Sequence, residues 1–358
     1  MRADESELTV LVVVRDAASH LEGLLHDLDS QTLRGCWEVV VIVDPASTDR
    51  SFAVASEWAR KCQEAVKVVI GEREGLAENW NLGIKLSSAA WIVRLDANGS
   101  YPAGFLGAIS VAIRSSGSDA RLGVGSVAAV GGGVALSPAR ENRLALALAA
   151  AEQSRFVSGS VARFKRPIVS QGDISFLARA AYRRDVFSLV GGFKTMFFAC
   201  EDTEFAFRFR RAGFKYKACS DVTSSHYVRS TLGALFRQKK RNGGAVWDMA
   251  LNRELPTPPV KLIVAPAAIS MVLITLFFGG YGMLLPLSCL IVIALESAFL
   301  ARLHKVSFPL TTVGVCTSLL AYVVGGLHAV ARFVGGNRFN EAPIVVAGSM
   351  NRPFGDLE

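Results

Sequence analysis

The sequence of 358 residues lacks three things that would each have named a class of protein. No leader is expected: MRADESELT is acidic and polar where a secretory signal needs basic residues and an apolar run, so the segment that follows is expected to stay in the cytosol. It has no paired cysteines. Cys36, Cys62, Cys200, Cys219, Cys289 and Cys316 form no C-x-x-C pair and no cluster with histidine, which argues against a disulfide framework or a zinc site and fits free thiols in a reducing compartment. It has no phosphate loop. The glycine-rich stretch 117–133 does not contain G-x-x-x-x-G-K-[ST], and a flexible turn followed by a strand is the better reading. Lysine and arginine exceed aspartate and glutamate by 39 to 31, yet no aromatic-basic platform accompanies the excess, so nucleic acid is not an expected partner. The basic cluster Arg237, Lys239, Lys240 and Arg241 suits an anionic membrane surface or a phosphate-bearing substrate instead.

What is present divides the chain. Mean hydropathy is +0.34, and nearly all the long apolar runs lie in residues 260–335. Before them, short apolar runs alternate with helical patterns. Leu8–Val14, Val39–Val43, Val66–Ile70 and Trp91–Leu95 read as strands, the first two buried on both faces. Between them, Ser19 with Glu22 makes a capping-box pattern ahead of Leu21, Leu24, Leu25 and Leu28. Ser47 or Thr48 can cap a helix whose Phe52, Ala55 and Ala59 face inward, and Ala77–Lys85 forms another short helix. This order predicts an α/β fold with a mainly parallel sheet flanked by helices. Ligands of such sheets bind at the carboxyl ends of the strands, where Arg15, Asp44 and Asp96 stand. Further on, residues 140–153 form an Ala/Leu-rich helix of the core or of the membrane interface. Glu201–Ala212 is a helix stopped by Gly213, and Thr231–Asn242 is a basic helix.

Three acidic segments carry the chemistry: "VDPASTDRS" with Asp44, "RLDANGSYP" with Asp96 and Asn98, and "CEDTEFAFRFRRAG" with Glu201 and Asp202. Together with "AYRRDVFSLVGGF" and "HYVRSTLGALFRQKKRNG", in this order and ahead of apolar helices, they resemble glycosyltransferase family 2 over roughly residues 8–243. Within that family the pattern is most similar to the succinoglycan-type exopolysaccharide glucosyltransferases. The resemblance implies the GT-A nucleotide-diphospho-sugar transferase fold and an inverting reaction with a nucleotide-diphosphate sugar as donor. Asp44 matches the carboxylate that accepts a nucleobase N–H, although a turn or capping aspartate is the alternative and Pro45 and Ala46 replace the usual acid and glycine. Arg15 would join it on the nucleotide. In "GLAENWNLG", Asn81 and Gly83 match the loop that closes over it; a surface helix start is the alternative.

Asp96 and Asn98 match the Asp-x-Asp element, implying Mg²⁺ or Mn²⁺ on the diphosphate, held less firmly because Asn98 offers a neutral oxygen. Asp202 matches the general base that an in-line displacement requires, and helix capping is the alternative reading of that acid. Glu201 reads as a positioning or acceptor-contacting neighbour. His226, Arg229, Gln238 and Arg241 are candidates for acceptor or pyrophosphate contacts, with a solvated basic face as the alternative.

The remaining chain reads as a membrane region over 251–335, with helices at 262–278, 281–300 and 309–331, after a catalytic domain over 1–250 and before a tail over 336–358. The short basic loop Arg302–Lys305 belongs on the cytosolic side. The expected setting is the cytoplasmic membrane, multi-pass, with the catalytic domain in the cytosol and a lipid-linked polyprenyl saccharide as acceptor. Rival readings are transfer directly onto polyprenyl phosphate, a non-catalytic scaffold that keeps the fold, and a processive synthase. The last is disfavoured by Asn242 after Arg241, where a tryptophan would complete Q-x-x-R-W.

Overall fold

The structure, a computed structural model, describes residues 7–33, 37–62, 64–117, 122–138, 141–158, 172–174, 177, 179–252 and 284–335. Strands β1 (Leu8–Val14), β2 (Trp37–Val43), β3 (Ala65–Ile70) and β4 (Trp91–Asp96) pair in parallel in the order β3-β2-β1-β4. Every residue of β1 and β2 is buried, because helices cover both faces. Period two decides which face each side chain joins. Val10, Val12 and Val14 pack with Leu21, Leu24, Leu25 and Leu28 of α1 (Ala18–Asp29). Leu11 and Val13 pack with Ala77 and Trp80 of α3 (Leu76–Leu86) on the other face.

Beyond β4 the sheet becomes mixed. β8 (Ala181–Arg183) runs antiparallel to β4 and to β6 (Val127–Pro138). β6 pairs in parallel with β9 (Lys215–Val228), whose other edge receives β5 (Gly99–Ser100). β7 (Gly172–Ile174) also pairs with β9. The second face carries α8 (Glu201–Arg211), whose Phe205 and Phe209 interlock with Tyr182 and Tyr216.

The helix starts depart from the sequence reading. No capping box forms at Ser19. The N–H of Ala18 donates instead to Asp49 Oδ2 (2.8 Å), and that of Ala17 to Ser51 Oγ (3.2 Å). Neither Ser47 nor Thr48 caps α2 (Ser51–Ala59); Asp49 Oδ1 accepts from the N–H of Ser51. One exposed carboxylate therefore ties two helix starts together. Although desolvation acts the other way, the hydrogen bonds from Ser51 and Ala18 pull it down to about 2. Phe52 does not face inward but is exposed, leaving Ala55 as the buried contact of α2.

At the carboxyl side, α9 (Leu232–Leu251) lies against α11 (Phe308–Val334), while α5 (Arg143–Ala151) packs on α10 (Leu284–Leu303) and α11. α5 also packs on β6 and β9, so it lies between the sheet and this helical layer. α11 is the one described helix long and apolar enough to cross a membrane, with 27 residues and a hydropathy of 1.7. α10 leaves Leu287, Leu290, Leu295 and Phe299 exposed. The expected span at 262–278 lies outside the described residues. Glu296 of α10 needs no snorkelling. It accepts from Ser154 Oγ (2.6 Å) and from the N–H of Arg155 (2.8 Å), which offsets the penalty of a carboxylate among apolar helices.

The seam between α9 and α11 is made of glycines. A Cβ on Gly243 would lie 2.7 Å from the Tyr322 carbonyl oxygen, and one on Gly325 would meet the carbonyl of Lys240 and, at 2.8 Å, the nitrogen of Gly244. Backbones this close leave no room for a side chain, and both charged pairs at the seam's ends are closed: Lys239 to Glu152 at 2.7 Å and Arg332 to Asp248 at 2.8 Å. Gly325→Leu is therefore expected to destabilise the chain by about 2 kcal/mol or more through overpacking. Gly107→Ala, in α4 (Phe105–Arg114) with nothing within 4 Å of its added methyl, serves as the control and should not destabilise. Thermal unfolding of the two variants in the same detergent checks this.

Candidate functional site

Asp44 ends β2 and is 3% exposed. Its Oδ1 accepts from the N–H of Ala46 (2.9 Å), and its Oδ2 from the N–H of Gly75 (2.9 Å) and from Asn79 Nδ2 (3.0 Å). Gly75 has φ +127°, a backbone that a side chain would strain, so the loop before α3 is built to hand its N–H to Asp44. Arg15 Nη1 stands 3.9 Å from the same carboxylate and 3.8 Å from Glu74. The structure thus brings Arg15 and Asp44 together and gives Asp44 the work of closing two loops. Asn81 lies elsewhere: on α3, it donates from Nδ2 to the Phe193 carbonyl and accepts the Phe193 N–H, both at 2.8 Å. It braces the segment ahead of α8 rather than a mobile loop.

Asp96, at the tip of β4, is about one-third exposed and lies between two arginines. Arg179 Nε is 3.4 Å from Oδ2 and Arg94 Nε is 3.8 Å from Oδ1. Desolvation would favour the neutral acid, but Arg94 and then Arg179 outweigh it and hold the carboxyl below its ordinary value. The backbone beneath is fixed by Tyr101, whose hydroxyl accepts from the N–H of Asp96 (2.9 Å) and donates to the Asp96 carbonyl (3.1 Å). Asn98 accepts the N–H of Tyr227 through its own carbonyl (2.9 Å), so the turn after Asp96 is stitched to β9.

Asp202 opens α8. Cys200 before it adopts the left-handed region at φ 60°, which turns the chain sharply into the helix; a non-glycine residue held there marks a segment constrained by its surroundings. Glu201, 4% exposed, accepts from Arg94 Nη2 at 2.8 Å, while the Arg94 guanidinium stacks 4.3 Å above the Trp80 ring. Asp202 is left without that bond. Burial, and next the charge of Glu201, raise its carboxyl to about 6 despite the opposing Arg94. Arg94 is thus the hub of Asp96, Glu201 and Asp202. It was not singled out in the sequence, where a charge inside the apolar run "WIVRLD" was the available signal. Arg179 gave no such signal.

His226 lies opposite Gly99 in the β5–β9 ladder, within the same cluster. Arg229 follows at the end of β9, and Gln238 and Arg241 lie on α9. Burial and then the nearby Arg241 lower the Arg229 pKa, which places two guanidiniums close together; neither meets a carboxylate among the described residues.

Among the described residues no cluster of three His, Cys, Asp or Glu side chains could hold a metal ion. The residues present still fit a hard cation that arrives with its own anionic ligands. Asp96 is partly exposed and held ionised, Asn98 stands two residues on, and Mg²⁺ commonly takes one or two carboxylates together with substrate phosphates.

Comparison with known proteins agrees with this geometry. The profile "Glycosyl transferase family 2" matches residues 9–127, and "Glycosyl transferase family group 2" matches residues 91–329. The chain is 24% identical over 275 residues to the succinoglycan biosynthesis protein ExoA of Rhizobium meliloti (strain 1021), covering 75% of this chain and 79% of that one. Among solved structures it is similar in fold to the mannosyltransferase PcManGT from Pyrobaculum calidifontis in complex with GDP-Man and Mn²⁺, at a TM-score of 0.55 and 20% identity, covering 90% of this chain and 87% of that one.

Proposed function

The chain belongs to glycosyltransferase family 2, and from that premise we propose that it moves a sugar, with inversion, from a nucleotide-diphosphate donor to a lipid-linked saccharide during exopolysaccharide or cell-surface glycan synthesis. The observation that carries the chemistry is the pair of acids around Arg94. Asp96 is held ionised at the strand tip, and Asp202 is raised to about 6 at the start of α8. A base needs a pKa near the working pH to accept a proton and remain in its reactive form. Asp202 takes the proton of the acceptor hydroxyl as that oxygen bonds to the anomeric carbon and the bond to the diphosphate breaks. Arg94 holds the two acids in relation to each other, and Glu201 holds Arg94. A Mg²⁺ or Mn²⁺ ion bound at Asp96 and Asn98 would supply positive charge to the leaving diphosphate. Arg15 and Asp44 receive the nucleotide end.

The acceptor assignment draws on three features: the name of the ExoA relative, the apolar α11, and the neighbouring guanidiniums of Arg229, just after β9, and Arg241 on α9, neither of which meets a carboxylate among the described residues. In this reading residues 1–250 work at the cytosolic face, and 251–335 form a region of about three membrane helices that keeps enzyme and carrier lipid in one plane and raises their effective concentration. The experiment uses the full chain in nanodiscs, supplied with UDP- and GDP-sugars and with lipid extracted from a strain lacking the enzyme. Transfer to a pyrophosphate-linked saccharide with inverted anomeric configuration is the expected result. Product on bare polyprenyl phosphate would move the assignment to the rival acceptor, and absence of transfer from every donor would end it.

A further inference from the structure

A cleft of about 360 Å³ opens between α1 and the β5–β9 ladder, large enough for one small ligand. The proposed reaction does not use it. Its position follows from the alternation of side chains along β9. His226 turns towards Arg179, a residue in the left-handed region at φ 58° whose Nε faces Asp96, so that side belongs to the reaction centre. Tyr227, the next residue, turns the other way and stands against His20 of α1, with ring centroids 6.3 Å apart and planes 21° from parallel. Gly99, three residues after Asp96, completes the edge, so the cleft lies within about 10 Å of chain from the cation site.

Gly23 forms part of the lining. A glycine inside a helix is less favourable than any residue but proline, and a Cβ here would meet nothing within 4 Å. Packing therefore does not demand glycine at this place; its effect is to leave the cleft open. Gly99 differs, since a Cβ there would press on the Arg179 guanidinium at 2.7 Å. The polar lining is also uncommitted. Among the described residues the side chains of Ser19, His20, His26 and Tyr227 have no hydrogen-bond partner, and the Asp27 carboxylate is engaged only through Oδ2, by the N–H of Tyr101 (2.7 Å). No lysine or arginine is among the described residues that line the cleft, so a phosphate would meet Asp27 and no guanidinium or ammonium. His20 and Tyr227 are too close to take a ring between them, which would need a contact of about 3.5–4 Å on each side; they form one wall. An aromatic wall beside uncommitted donors and acceptors suits a ligand with an apolar C–H face and a rim of hydroxyls. We propose that this cleft binds one neutral sugar unit, its C–H face on the two rings and its hydroxyls on Ser19, His26 and Asp27. That the unit belongs to the acceptor saccharide, away from the hydroxyl that reacts, rests on the transferase reading; the binding of a neutral sugar does not.

The full chain in nanodiscs, without nucleotide, is titrated with neutral glucose- and galactose-containing trisaccharides and with glucose 6-phosphate, and bound sugar is read by saturation-transfer NMR. A neutral trisaccharide should receive saturation on one ring. Gly23→Leu, whose side chain fills the cleft, should abolish that signal while unfolding at a temperature no lower than wild type. His20→Ala should weaken binding about tenfold, the scale of one aromatic contact. Neither residue belongs to the reaction centre, so both variants should bind UDP or GDP as wild type does. With lipid-linked acceptor, Gly23→Leu should raise KM about tenfold and leave kcat within about twofold, the mark of lost uniform binding. No saturation transfer in wild type, an undiminished signal in folded Gly23→Leu, or preference for glucose 6-phosphate over neutral sugar overturns the proposal. Should Gly23→Leu not fold, His20→Ala decides it by the same signals. An unchanged acceptor KM in a variant that no longer binds sugar overturns the assignment to the acceptor. Absence of transfer from every donor, with the cleft still binding neutral sugar, would end the transferase reading and support the site.

Discussion

Asp202→Asn is expected to lower turnover by about 10²–10⁴-fold, the usual contribution of one general base, while nucleotide-diphosphate affinity stays within a few-fold. The amide keeps the shape and hydrogen-bonding reach of the carboxyl but cannot accept the acceptor's proton. In the wild type, kcat/KM should fall as pH drops through about 6, where Asp202 becomes protonated. The same group affects folding with a definite sign. Its pKa is raised from 3.8 to about 6, so between those values the folded protein holds a proton that the unfolded chain has released. Stability contributed by the neutral acid is therefore present at low pH and is lost as pH rises through about 6. A permanently neutral asparagine escapes that loss. At pH 7.5 the inactive variant should unfold at a temperature no lower than wild type, with a gain on the order of 1 kcal/mol once partial exposure of the group is allowed for. Turnover, diphosphate binding and thermal unfolding of the same two preparations check all three statements. Near wild-type turnover would remove Asp202 from the reaction.

Arg94→Met should be the most damaging single change to stability. Glu201 is 4% exposed and Arg94 15%, and the two meet at 2.8 Å. Removing one partner of a buried pair strands the other charge, which typically costs about 3–5 kcal/mol. Much of that loss belongs to the abandoned carboxylate rather than to the missing attraction. Arg94→Met combined with Glu201→Leu should therefore recover a large part of it, because an apolar pair of similar volume can pack against Trp80 and Phe193. The double variant should remain inactive. Without Arg94, the charge that opposes the upward shift of Asp202 is gone, and Asp96 loses its leading counter-charge. Denaturant midpoints of wild type, both single variants and the double variant form the cycle. Additive losses would show that Arg94 and Glu201 stabilise the fold independently.

The elements from β1 to β4 were legible because each has one strong cause. β1 and β2 are apolar apart from Thr9 and Glu38 near their starts, and α1 and α3 carry stripes at helical spacing. The strands that complete the site were not. β5, β7 and β8 have two or three residues each and exist through pairing with distant partners, a cause that no local window contains. The acids Asp44, Asp96 and Asp202 stood out from their segments, and the fold gathers Asp96 and Asp202 around one arginine. The arginines themselves were hidden for different reasons. Arg94 resembles an ordinary outward residue of a strand until the helix beyond it supplies Glu201. Arg179 owes its place to a left-handed backbone and to β9, some 45 residues further on. The caps failed because Asp49 serves both helix starts: it accepts locally ahead of α2 in place of Ser47 and Thr48, and it reaches across to the start of α1 in place of a Ser19 capping box.

The glycine seam sets a height. On one side α9 is locked to α11 with no side chains between their backbones at Gly325. Next to this seam α9 and α11 meet the residues just ahead of Asp202: Cys200 Sγ lies 4.0 Å from the Asn242 carbonyl, and Phe198 lies against Gly244 and Arg332. On the acceptor proposed above, a lipid-linked saccharide, and with α11 seated in a bilayer, this contact would set the height of Asp202 above the lipid. A saccharide whose free hydroxyl stands at that elevation would then be favoured over one that is a sugar shorter or longer, so that chain length would be read along with sugar identity.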